Sequence, residues 1–431
     1  MTSVQSADTP GTTLARRRRR VVVLGQGFVG LPAAMLAVEA GHDVVGYDTD
    51  TRRVTQLENA VSYVSDVSSE CIAAALRSGH YFPTSDPDAL KDFDVALIAV
   101  PTPLADNEPD LGCIEAAAIT LSSYVRRGCL VILESTAYPG TTEDIVAPLL
   151  THSGLKPGRD FSLGYAPERL NPGAGFAELA KVPKIVAGVD HESRQAVSDF
   201  WSELVSTVVP ARTIRTAEVA KLVENAFRLV NISFVNELAT RMQSLGVSVW
   251  EVLDLASTKP YGYMGFHPGA GAGGHCVPID SAYLAWSLRR VSRPSASIET
   301  AIQINQRQPR YVTSRIISGI LRRNHTTTAS RSRIVVVGAT YKPDIADIRD
   351  SAALKVVHEL RRRGADVVIV DPLVPDLAHV LAELTPELIA TASAVALLVD
   401  HECLDYELIT SARYVFDACG ALPPAANIER L

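Results

Sequence analysis

The chain has 431 residues, of which 47% are hydrophobic and 21% are charged. That length allows two or three domains, and the composition is typical of a globular protein. The net charge of −7 argues against a nucleic-acid partner. The six cysteines are scattered without a Cys-x-x-Cys pair. The sequence therefore predicts neither a metal site nor a disulfide framework, and we expect a reduced, cytoplasmic setting.

The N-terminus allows two interpretations. Arg16 to Arg20 precede an apolar stretch from Val21 to Val38, an order that resembles an export signal. Three glycines and Pro32 interrupt this stretch, however, and no small-residue cleavage site follows it. We therefore expect residues 1–19 to be a disordered leader before a buried strand and its helix. No other stretch is long and apolar enough to span a membrane.

The first half of the chain alternates between strand and helix patterns. Residues 21–24 and 43–48 are predicted as strands around a helix at 29–40, which together form a βαβ unit. Further short apolar runs predict strands, and these lie at 95–100, 130–133, 161–165 and 184–188. This alternation favours an open, mostly parallel sheet, in which the polar segments that follow the strands converge on one cleft.

The second half begins with a long helix at 216–245, which Gly246 ends. A glycine-rich loop is predicted at 262–280, followed by more helix to about residue 323. A polar linker at 324–332 leads into a second α/β pattern, with strands at 333–337 and 366–371 around a helix at 352–363. The predicted fold is therefore α/β, with a Rossmann-type parallel sheet at 20–212, a central helical domain at 213–323 and a Rossmann-like domain at 324–431.

The first βαβ unit carries a dinucleotide-binding pattern. Gly25, Gly27 and Gly30 fit Gly-x-Gly-x-x-Gly between a strand and a helix, which is the context that the pattern requires. They allow a tight turn, close approach of a pyrophosphate and close packing of helix on strand. Asp48 ends the second strand, where a carboxylate favours NAD over NADP; the neighbouring Arg52 and Arg53 weaken this preference.

The long helix carries a polar stripe. Lys221, Asn225 and Arg228 share one face, and the other sides are largely apolar. A stripe of this kind is either solvated or faces a cleft. We expect a cleft, in which Lys221 stabilises a developing oxyanion and Asn225 donates a further hydrogen bond.

The glycine-rich loop carries a candidate nucleophile, Cys276, in the segment from Gly273 to Asp280. A setting among glycines is poor for core packing, so we expect a reactive thiol rather than a buried one. The adjacent His275 either lowers the pKa of the thiol or is structural. Asp280 and Glu168 are candidate bases for activating water, and Asp280 is alternatively the N-cap of the next helix.

These motifs together resemble the UDP-glucose/GDP-mannose dehydrogenase family of nucleotide-sugar 6-dehydrogenases. The resemblance runs from about Arg20 to the C-terminus. It rests on the following motifs: Gly25 to Pro32, Val100 to Pro103, Glu134 to Thr136, Pro139 to Thr142, Lys221 with Asn225, Gly273 to Asp280, Tyr341 to Asp344, and Asp347 to Ser351. It implies oxidation of a sugar CH2OH to a carboxylate with two NAD⁺, through a thiohemiacetal and a thioester on Cys276.

The resemblance also implies roles for particular residues. The catalytic set is Cys276, Lys221, Asn225, Asp280, Glu168 and Thr136, the last of which positions a water. Cofactor contacts come from Gly25, Gly27, Phe28, Val29, Gly30, Asp48, Arg53, Pro101, Thr102, Thr136 and Arg349. Substrate contacts come from Glu168, Arg169, Lys221, Asn225, Arg228, Gly273 and Lys342. Lys342 would grip the nucleotide diphosphate, and Arg349 would reach the cofactor or substrate across a dimer interface. The expected partners are a UDP-sugar and a second copy of the chain, joined through the central helix, with higher oligomers left open.

Two segments, Tyr165 to Gly173 and Thr258 to Gly262, resemble the branch that acts on UDP-N-acetylhexosamines, UDP-ManNAc or UDP-GlcNAc. UDP-glucose or GDP-mannose remains an alternative substrate. The chain departs from the family pattern at Ser281, Ala352, Ala270 and Ala272. These departures remove no catalytic group but bear on sugar preference.

Two other functions remain open. A two-electron β-hydroxyacid dehydrogenase also joins a Rossmann domain to a long helix with lysine and asparagine, but lacks the cysteine loop and the third domain. A sensor or scaffold would bind a nucleotide sugar without turnover, although the presence of every expected catalytic residue disfavours it.

Overall fold

The computed structural model describes residues 18–170, 173, 175–324 and 330–431. The predicted leader lies outside these residues up to position 17, as does most of the predicted linker, at 325–329. The apolar stretch after the arginine run is a strand and a helix, as predicted. Within the described ranges, no helix combines the length and apolar character that crossing a membrane requires.

The N-terminal part builds an eight-stranded sheet. The strands of this sheet are β1 (Arg20–Leu24), β2 (Asp43–Tyr47), β3 (Tyr81–Thr84), β4 (Val95–Ile98), β7 (Leu130–Leu133), β8 (Ser162–Tyr165), β9 (Lys184–Gly188) and β10 (Val208–Pro210). A separate two-stranded ribbon consists of β5 (Leu104–Ala105) and β6 (Glu108–Pro109). The helices are α1 (Gly30–Glu39), α2 (Thr51–Glu58), α3 (Ser69–Arg77), α4 (Gly112–Ser122), α5 (Ala147–Leu150), α6 (Phe176–Leu179) and α7 (His191–Leu204).

The strand order in this sheet is β10-β9-β8-β7-β4-β1-β2-β3. All pairs are parallel except β8 with β9, which confirms the predicted open sheet. The apolar strands are covered by helices on both faces, because a parallel sheet buries both of its sides. The chain reverses direction of winding between β1 and β4, so the carboxyl ends of these strands open onto a crevice.

The central part is helical. Its helices are α8 (Ile214–Met242), α9 (Val249–Ser257), α10 (Cys276–Arg290) and α11 (Ala296–Asn324). The long helix α8 is capped by Thr213, whose side chain accepts a hydrogen bond from the Thr216 amide. A short 3₁₀ turn leads from its end to the predicted stop at Gly246. Helices α10 and α11 both pack against α8, which makes α8 the spine of the molecule.

The C-terminal part is a second α/β unit. Its strands are β11 (Arg333–Val337), β12 (Asp366–Val370), β13 (Val380–Leu381), β14 (Ala394–Leu397), β15 (Val415–Asp417) and β16 (Ile428–Arg430). Its helices are α12 (Ala352–Arg362), α13 (Pro386–Thr391) and α14 (Tyr406–Thr410). The six strands are all parallel, in the order β13-β12-β11-β14-β15-β16, so the predicted Rossmann-like unit is confirmed.

Two expectations about the central part are wrong. The glycine-rich loop ends at His275 rather than at 280, because α10 already begins at Cys276. Asp280 therefore lies in the second turn of α10, and its N-cap interpretation is excluded. The apolar sides of α8 are also not all buried within one chain, since Val223, Phe227 and Phe234 are 47%, 50% and 53% exposed.

Candidate active site

The dinucleotide turn lies between β1 and α1, and its three glycines have three different surroundings. Gly25 has a φ of +92°, and a Cβ there would lie 2.5 Å from the carbonyl oxygen of Ala99. A Cβ on Gly30 would lie 1.8 Å from the Gly25 oxygen, so helix and turn are in close contact. A Cβ on Gly27 would meet no atom within 4 Å. The open side of Gly27 gives a pyrophosphate room to approach the backbone at the N-terminus of α1.

Asp48 lies at the end of β2 and is buried. One of its oxygens accepts a hydrogen bond from the Gln26 amide at 2.8 Å, and Arg53 Nη1 lies 3.5 Å from the same oxygen. The carboxylate is therefore fixed beside the glycine turn, at the position that binds a ribose in dinucleotide folds. Arg53 neutralises this carboxylate in part instead of forming a separate phosphate site.

The remaining predicted cofactor residues border the same crevice. Phe28 and Val29 lie in the glycine turn, and Pro101 and Thr102 follow β4. Thr102 is buried, and its carbonyl oxygen accepts a hydrogen bond from Tyr283 of α10 at 3.2 Å. This contact links the crevice of the N-terminal sheet to the helix that begins with Cys276. The turn, Asp48 and the crevice together fit a dinucleotide.

Cys276 occupies the first turn of α10. Its side chain is exposed to solvent in a cleft, where Asp280, Lys221 and Arg349 are near enough to act on its pKa. Burial in this cleft, and then the charge of Asp280, raise the pKa of the thiol, while Lys221 and Arg349 oppose that rise. The amide groups at the start of the helix favour the thiolate once it forms. Cys276 is therefore a thiol in the resting site and needs a base to react.

Asp280 lies one turn after Cys276 on the same helix and is fully buried. Its Oδ2 accepts a hydrogen bond from Asn225 Nδ2 at 2.5 Å and lies 3.8 Å from Lys221 Nζ. Burial raises the pKa of Asp280 to about 6, against the opposing effects of Lys221 and Asn225. A carboxylate with this pKa is ionised at neutral pH and is still a stronger base than an exposed aspartate.

Lys221 and Asn225, the first two residues of the polar stripe on α8, face Asp280. Arg228 is exposed further along the helix. Burial lowers the pKa of Lys342, and the positive charge of Arg228 lowers it further. Two cations held near each other form a suitable site for an anion such as a diphosphate.

His275 does not activate the thiol. Burial, followed by the positive charge of Arg349, lowers its pKa below the usual range, so the ring is neutral at pH 7. A neutral ring supplies no positive charge to Cys276. The structural interpretation of His275, as the residue that precedes α10, is therefore the one that the structure supports.

The glycines before Cys276 serve packing between domains. A Cβ on Gly273 would lie 2.8 Å from the Asp350 oxygen, and a Cβ on Gly274 would lie 2.8 Å from the ring of Tyr341. The Gly274 amide donates a hydrogen bond to the Arg349 oxygen at 3.1 Å. The loop is thus pressed against the C-terminal unit, so these two glycines are needed for contact with protein and not only with a ligand.

Arg349 reaches the N-terminal unit of its own chain. Its guanidinium lies 3.9 Å from the ring centroid of Phe28 in the glycine turn and is paired with Asp347. Whether Arg349 also acts across a dimer interface stays a prediction, because the contact seen here lies within a single chain. The contact closes the C-terminal unit onto the cofactor crevice within one chain.

Glu168 and Arg169 follow β8 and differ in their surroundings. Glu168 is close enough to Cys276 to raise the pKa of the thiol. Arg169 pairs with Glu224 of α8 at 2.6 Å and donates to the Pro183 carbonyl, so its charge is already neutralised by protein. Thr136 follows β7, and Gly273 lies in the loop before Cys276.

Sequence reasoning missed one buried pair in this region. Lys184 Nζ lies 2.6 Å from Glu134 Oε1 and 3.2 Å from Glu168 Oε2. The available signal was a lysine at the start of an apolar buried strand, together with a glutamate directly after another one. Nothing in the sequence shows that the two residues meet, because they are fifty positions apart.

A hydride-accepting dinucleotide site and a nucleophilic thiol that share one cleft are characteristic of a dehydrogenase that carries its substrate to the acid. The matches to known proteins agree with this class. Residues 19–205, 215–307 and 335–424 match the NAD-binding, central and UDP-binding domains of the UDP-glucose/GDP-mannose dehydrogenase family. The chain belongs to this family.

Individual relatives are similar over most of their length. A UDP-N-acetyl-D-mannosamine dehydrogenase of Pyrococcus horikoshii is 34% identical over 89% of both chains. A UDP-N-acetyl-D-glucosamine 6-dehydrogenase of Salmonella typhi is 33% identical over 82% of both. The solved structure of a UDP-D-ManNAc dehydrogenase from Pyrococcus horikoshii has a TM-score of 0.87 at 32% identity, over 95% of this chain and 98% of that one.

Proposed function

We propose that this chain oxidises the C6 hydroxymethyl group of a UDP-N-acetylhexosamine, UDP-ManNAc or UDP-GlcNAc, to the carboxylate. The position of Cys276 carries the proposal. Its thiol lies beside the buried Asp280, in a cleft that the cofactor crevice and the C-terminal unit both border. Oxidation of an alcohol to an aldehyde needs no nucleophile, whereas the further oxidation of the aldehyde to an acid does. The relatives named for UDP-ManNAc and UDP-GlcNAc support the choice of sugar class.

NAD⁺ is the proposed cofactor, and it would supply the hydride acceptor for each of the two oxidations. Gly25, Gly27 and Gly30 would hold its pyrophosphate against α1. Asp48 would accept hydrogen bonds from a ribose, and its negative charge beside this site disfavours a 2′-phosphate. The match to an NAD-binding domain supports this choice.

Cys276 has the central covalent role. Its sulfur adds to the aldehyde carbon to form a thiohemiacetal, and the thiol proton passes to a base, for which Asp280 is suitably placed on the same helix. The thiohemiacetal hydroxyl would give its proton to a base as the carbon gives its hydride to the second NAD⁺, which leaves a thioester on Cys276. Water then attacks the thioester carbon, the C–S bond breaks, and the acid and the free thiol are released.

The side chains around the thiol stabilise charge and move protons. Lys221 and Asn225 already point at one oxygen, Asp280 Oδ2, and would also hold the reacting substrate oxygen. Glu168 and Thr136 would orient the hydrolytic water. Lys342 and Arg228, with Arg169 and Gly273, would contact the nucleotide sugar, and Arg349 would border the cofactor through Phe28.

We further propose that the protein is a homodimer and works in the cytoplasm. Val223, Phe227 and Phe234 form an exposed apolar stripe on α8, which a second copy of the chain would cover. The six cysteines are all unpaired, as expected in a reducing compartment.

The experiment that tests the function is a product balance. The purified protein is incubated with NAD⁺ and a panel of UDP- and GDP-sugars, and NADH and product mass are both measured. We expect about two NADH for each UDP-N-acetylhexosamine consumed, with a product that carries a carboxylate. A yield near one NADH supports the two-electron dehydrogenase instead, and binding without turnover supports a sensor.

The matched variant is Cys276→Ser. It removes the sulfur and changes little else, so carboxylate formation should fall by at least about a hundredfold, while nucleotide-sugar binding should be largely retained. Calorimetric titration with the nucleotide sugar measures the second property. Undiminished acid formation by this variant would rule out the thioester route.

A further inference from the structure

Glu134, Lys184 and Glu168 form a buried cluster next to the proposed catalytic cleft. Glu134 is fully buried at the end of β7, and Lys184 is buried at the start of β9. The Lys184 ammonium lies 2.6 Å from Glu134 Oε1 and 3.2 Å from Glu168 Oε2. One cation is thus shared by two carboxylates, which leaves the cluster one negative charge in excess when both are ionised.

The two carboxylates have unequal surroundings. Glu168 is 19% exposed at its side chain, and its Oε1 accepts a hydrogen bond from the Arg169 amide at 2.6 Å. Glu134 has no exposed side-chain surface, and its Oε2 is buried without a hydrogen-bond partner among the described residues. An ionised carboxylate without a partner for one oxygen is costly in a dry site. The excess charge is therefore better placed on Glu168.

The groups that surround the cluster interact with it or with other partners as follows. Arg169 is paired with Glu224 of α8. On the cleft side, Cys276 interacts electrostatically with Glu168, while Lys221 is directed at Asp280. The buried ring of Trp201, from α7, lies below Lys184, with 3.9 Å between Nζ and the ring centroid.

We propose that Glu134 is a positioning residue: it shares Lys184 with Glu168 and carries the proton of the cluster, which leaves the excess negative charge on Glu168. This inference rests on the proposed function, in which Glu168 handles a proton in the cleft. Burial raises the pKa of Glu134 to about 7, with a contribution from the charge of Glu168 and against that of Lys184. Glu134 is therefore the carboxylate of this cluster that changes its charge near neutral pH.

Trp201 allows a test that does not depend on catalysis. The chain has three tryptophans, so Trp250→Phe with Trp286→Phe leaves Trp201 as the single indole. Because the Lys184 ammonium lies over this ring, loss of a proton from Glu134 changes the field at the indole. We expect the fluorescence of this protein, without ligands, to show a transition near pH 7.

Three variants in that background assign the proton. Glu134→Gln should abolish the transition. Glu168→Gln should retain it at a lower pH, because Glu134 then has Lys184 to itself and no negative neighbour. Glu359→Gln removes another buried carboxylate, paired with Arg362 in the C-terminal unit, and should leave the transition unchanged. A transition that Glu168→Gln abolishes, or that is absent from the parent protein, overturns the inference.

Turnover gives the second measurement. In the otherwise unaltered protein, Glu134→Gln should retain about two NADH per sugar and should change KM for the nucleotide sugar less than about twofold, because Glu134 contacts no substrate. Its kcat should match the native value below pH 7, where Glu134 is protonated. It should fall at least about fivefold above pH 7, because the neutral amide no longer shares Lys184 with Glu168 and leaves that base fully paired. A kcat profile identical to that of the native enzyme overturns the inference. A native yield other than two NADH overturns the proposed function, whatever the fluorescence shows.

Discussion

The behaviour of Asp280 follows from two opposing effects at one carboxylate. Burial raises its pKa, and Lys221 with Asn225 holds that rise to a value of about 6. Without the two donors the pKa of the carboxyl group would be higher, and less of it would be ionised at neutral pH. Without burial it would be a weak base. The site therefore depends on both influences acting on the same oxygen, Asp280 Oδ2.

We predict that kcat falls as the pH drops through about 6, because protonated Asp280 cannot accept the proton of the Cys276 thiol. Asp280→Asn should remove this acid limb and lower kcat by about a hundred- to ten-thousand-fold at pH 8. Steady-state NADH formation between pH 5 and 9 measures both effects.

Asp254→Asn is the matched control, since Asp254 is an exposed carboxylate on α9. It should reproduce the native profile. An acid limb that persists unchanged in Asp280→Asn would assign the titration to another group.

Local sequence patterns predict features within one segment, but they do not predict contacts between distant segments. The Gly-x-Gly-x-x-Gly turn and the carboxylate at the end of β2 are local features, so both were predictable. The pair of Lys184 with Glu134 joins two strands that are not neighbours in the sheet order, and only tertiary structure brings it together. The same limit applies to His275, because its neutral state follows from burial and from Arg349 in another domain.

The glycine-rich segment before α10 is held by side chains from two long helices. Asn305 of α11 both donates to and accepts from the backbone of Ala272, at 2.9 and 2.7 Å. Asn236 of α8 accepts from the Gly269 amide at 2.8 Å, and Gln308 donates to the Gly269 oxygen at the same distance. These contacts fix the loop from one side, and Tyr341 fixes it from the other. The position of Cys276 is thus set by three elements of the fold.

Gly274→Ala should therefore damage the site without touching a ligand. Gly274 has a φ of +82°, and a Cβ there would lie 2.8 Å from the Tyr341 ring. We expect a loss of about 1–3 kcal/mol of stability and a fall in kcat of at least about tenfold, because Cys276 lies two residues further on. Thermal unfolding and NADH formation are the measurements.

Gly269→Ala provides the comparison at the other end of the same loop. A Cβ on Gly269 would meet no atom within 4 Å, and its φ is not in the left-handed region. Stability and kcat should both stay close to native. Equal damage from the two substitutions would mean that loop flexibility, and not the contact with Tyr341, matters.

At the level of elements, periodicity predicted the long helix α8 and eight of the fourteen strands in the two large sheets, but it missed β3, β10, β13, β14, β15 and β16. The start of α10 was missed because its first residues, from Cys276 to Ile279, follow a glycine run and no side chain caps the helix. The capping rule therefore favoured Asp280 as the start, although packing of α10 against α8 extends the helix by another turn. Tertiary packing overrode the local signal.

At the level of the whole molecule, one segment of the C-terminal unit touches both other parts. Tyr341 and Asp350 pack against the glycine loop, and Arg349 stacks on Phe28 in the dinucleotide turn. A nucleotide sugar bound to the C-terminal unit would therefore share its supporting segment with the cofactor turn and with Cys276. The sequence predicted three parts in order along the chain, but not that a single stretch joins them.

The exposed stripe on α8 leads to the last prediction. Val223, Phe227 and Phe234 recur at spacings of four and seven, so they lie on one side of the helix, away from the face of Lys221. Three half-exposed apolar side chains in a row favour burial against a second chain over exposure to water. Phe234→Asp places a charge in that proposed interface, and we expect it to shift the protein from dimer to monomer at micromolar concentration.

Light scattering coupled to gel filtration measures this change directly. Val291→Asp is the control, because Val291 is even more exposed than Phe234, at 65% against 53%, but directly follows α10, away from the stripe. It should leave the mass of the particle unchanged. If the Phe234→Asp variant and the native protein have the same particle mass, whether of a monomer or of a dimer, the stripe has no part in assembly. If Phe234→Asp is monomeric and retains native kcat, each active site is complete within one chain, as the contact of Arg349 with Phe28 of the same chain leads us to expect.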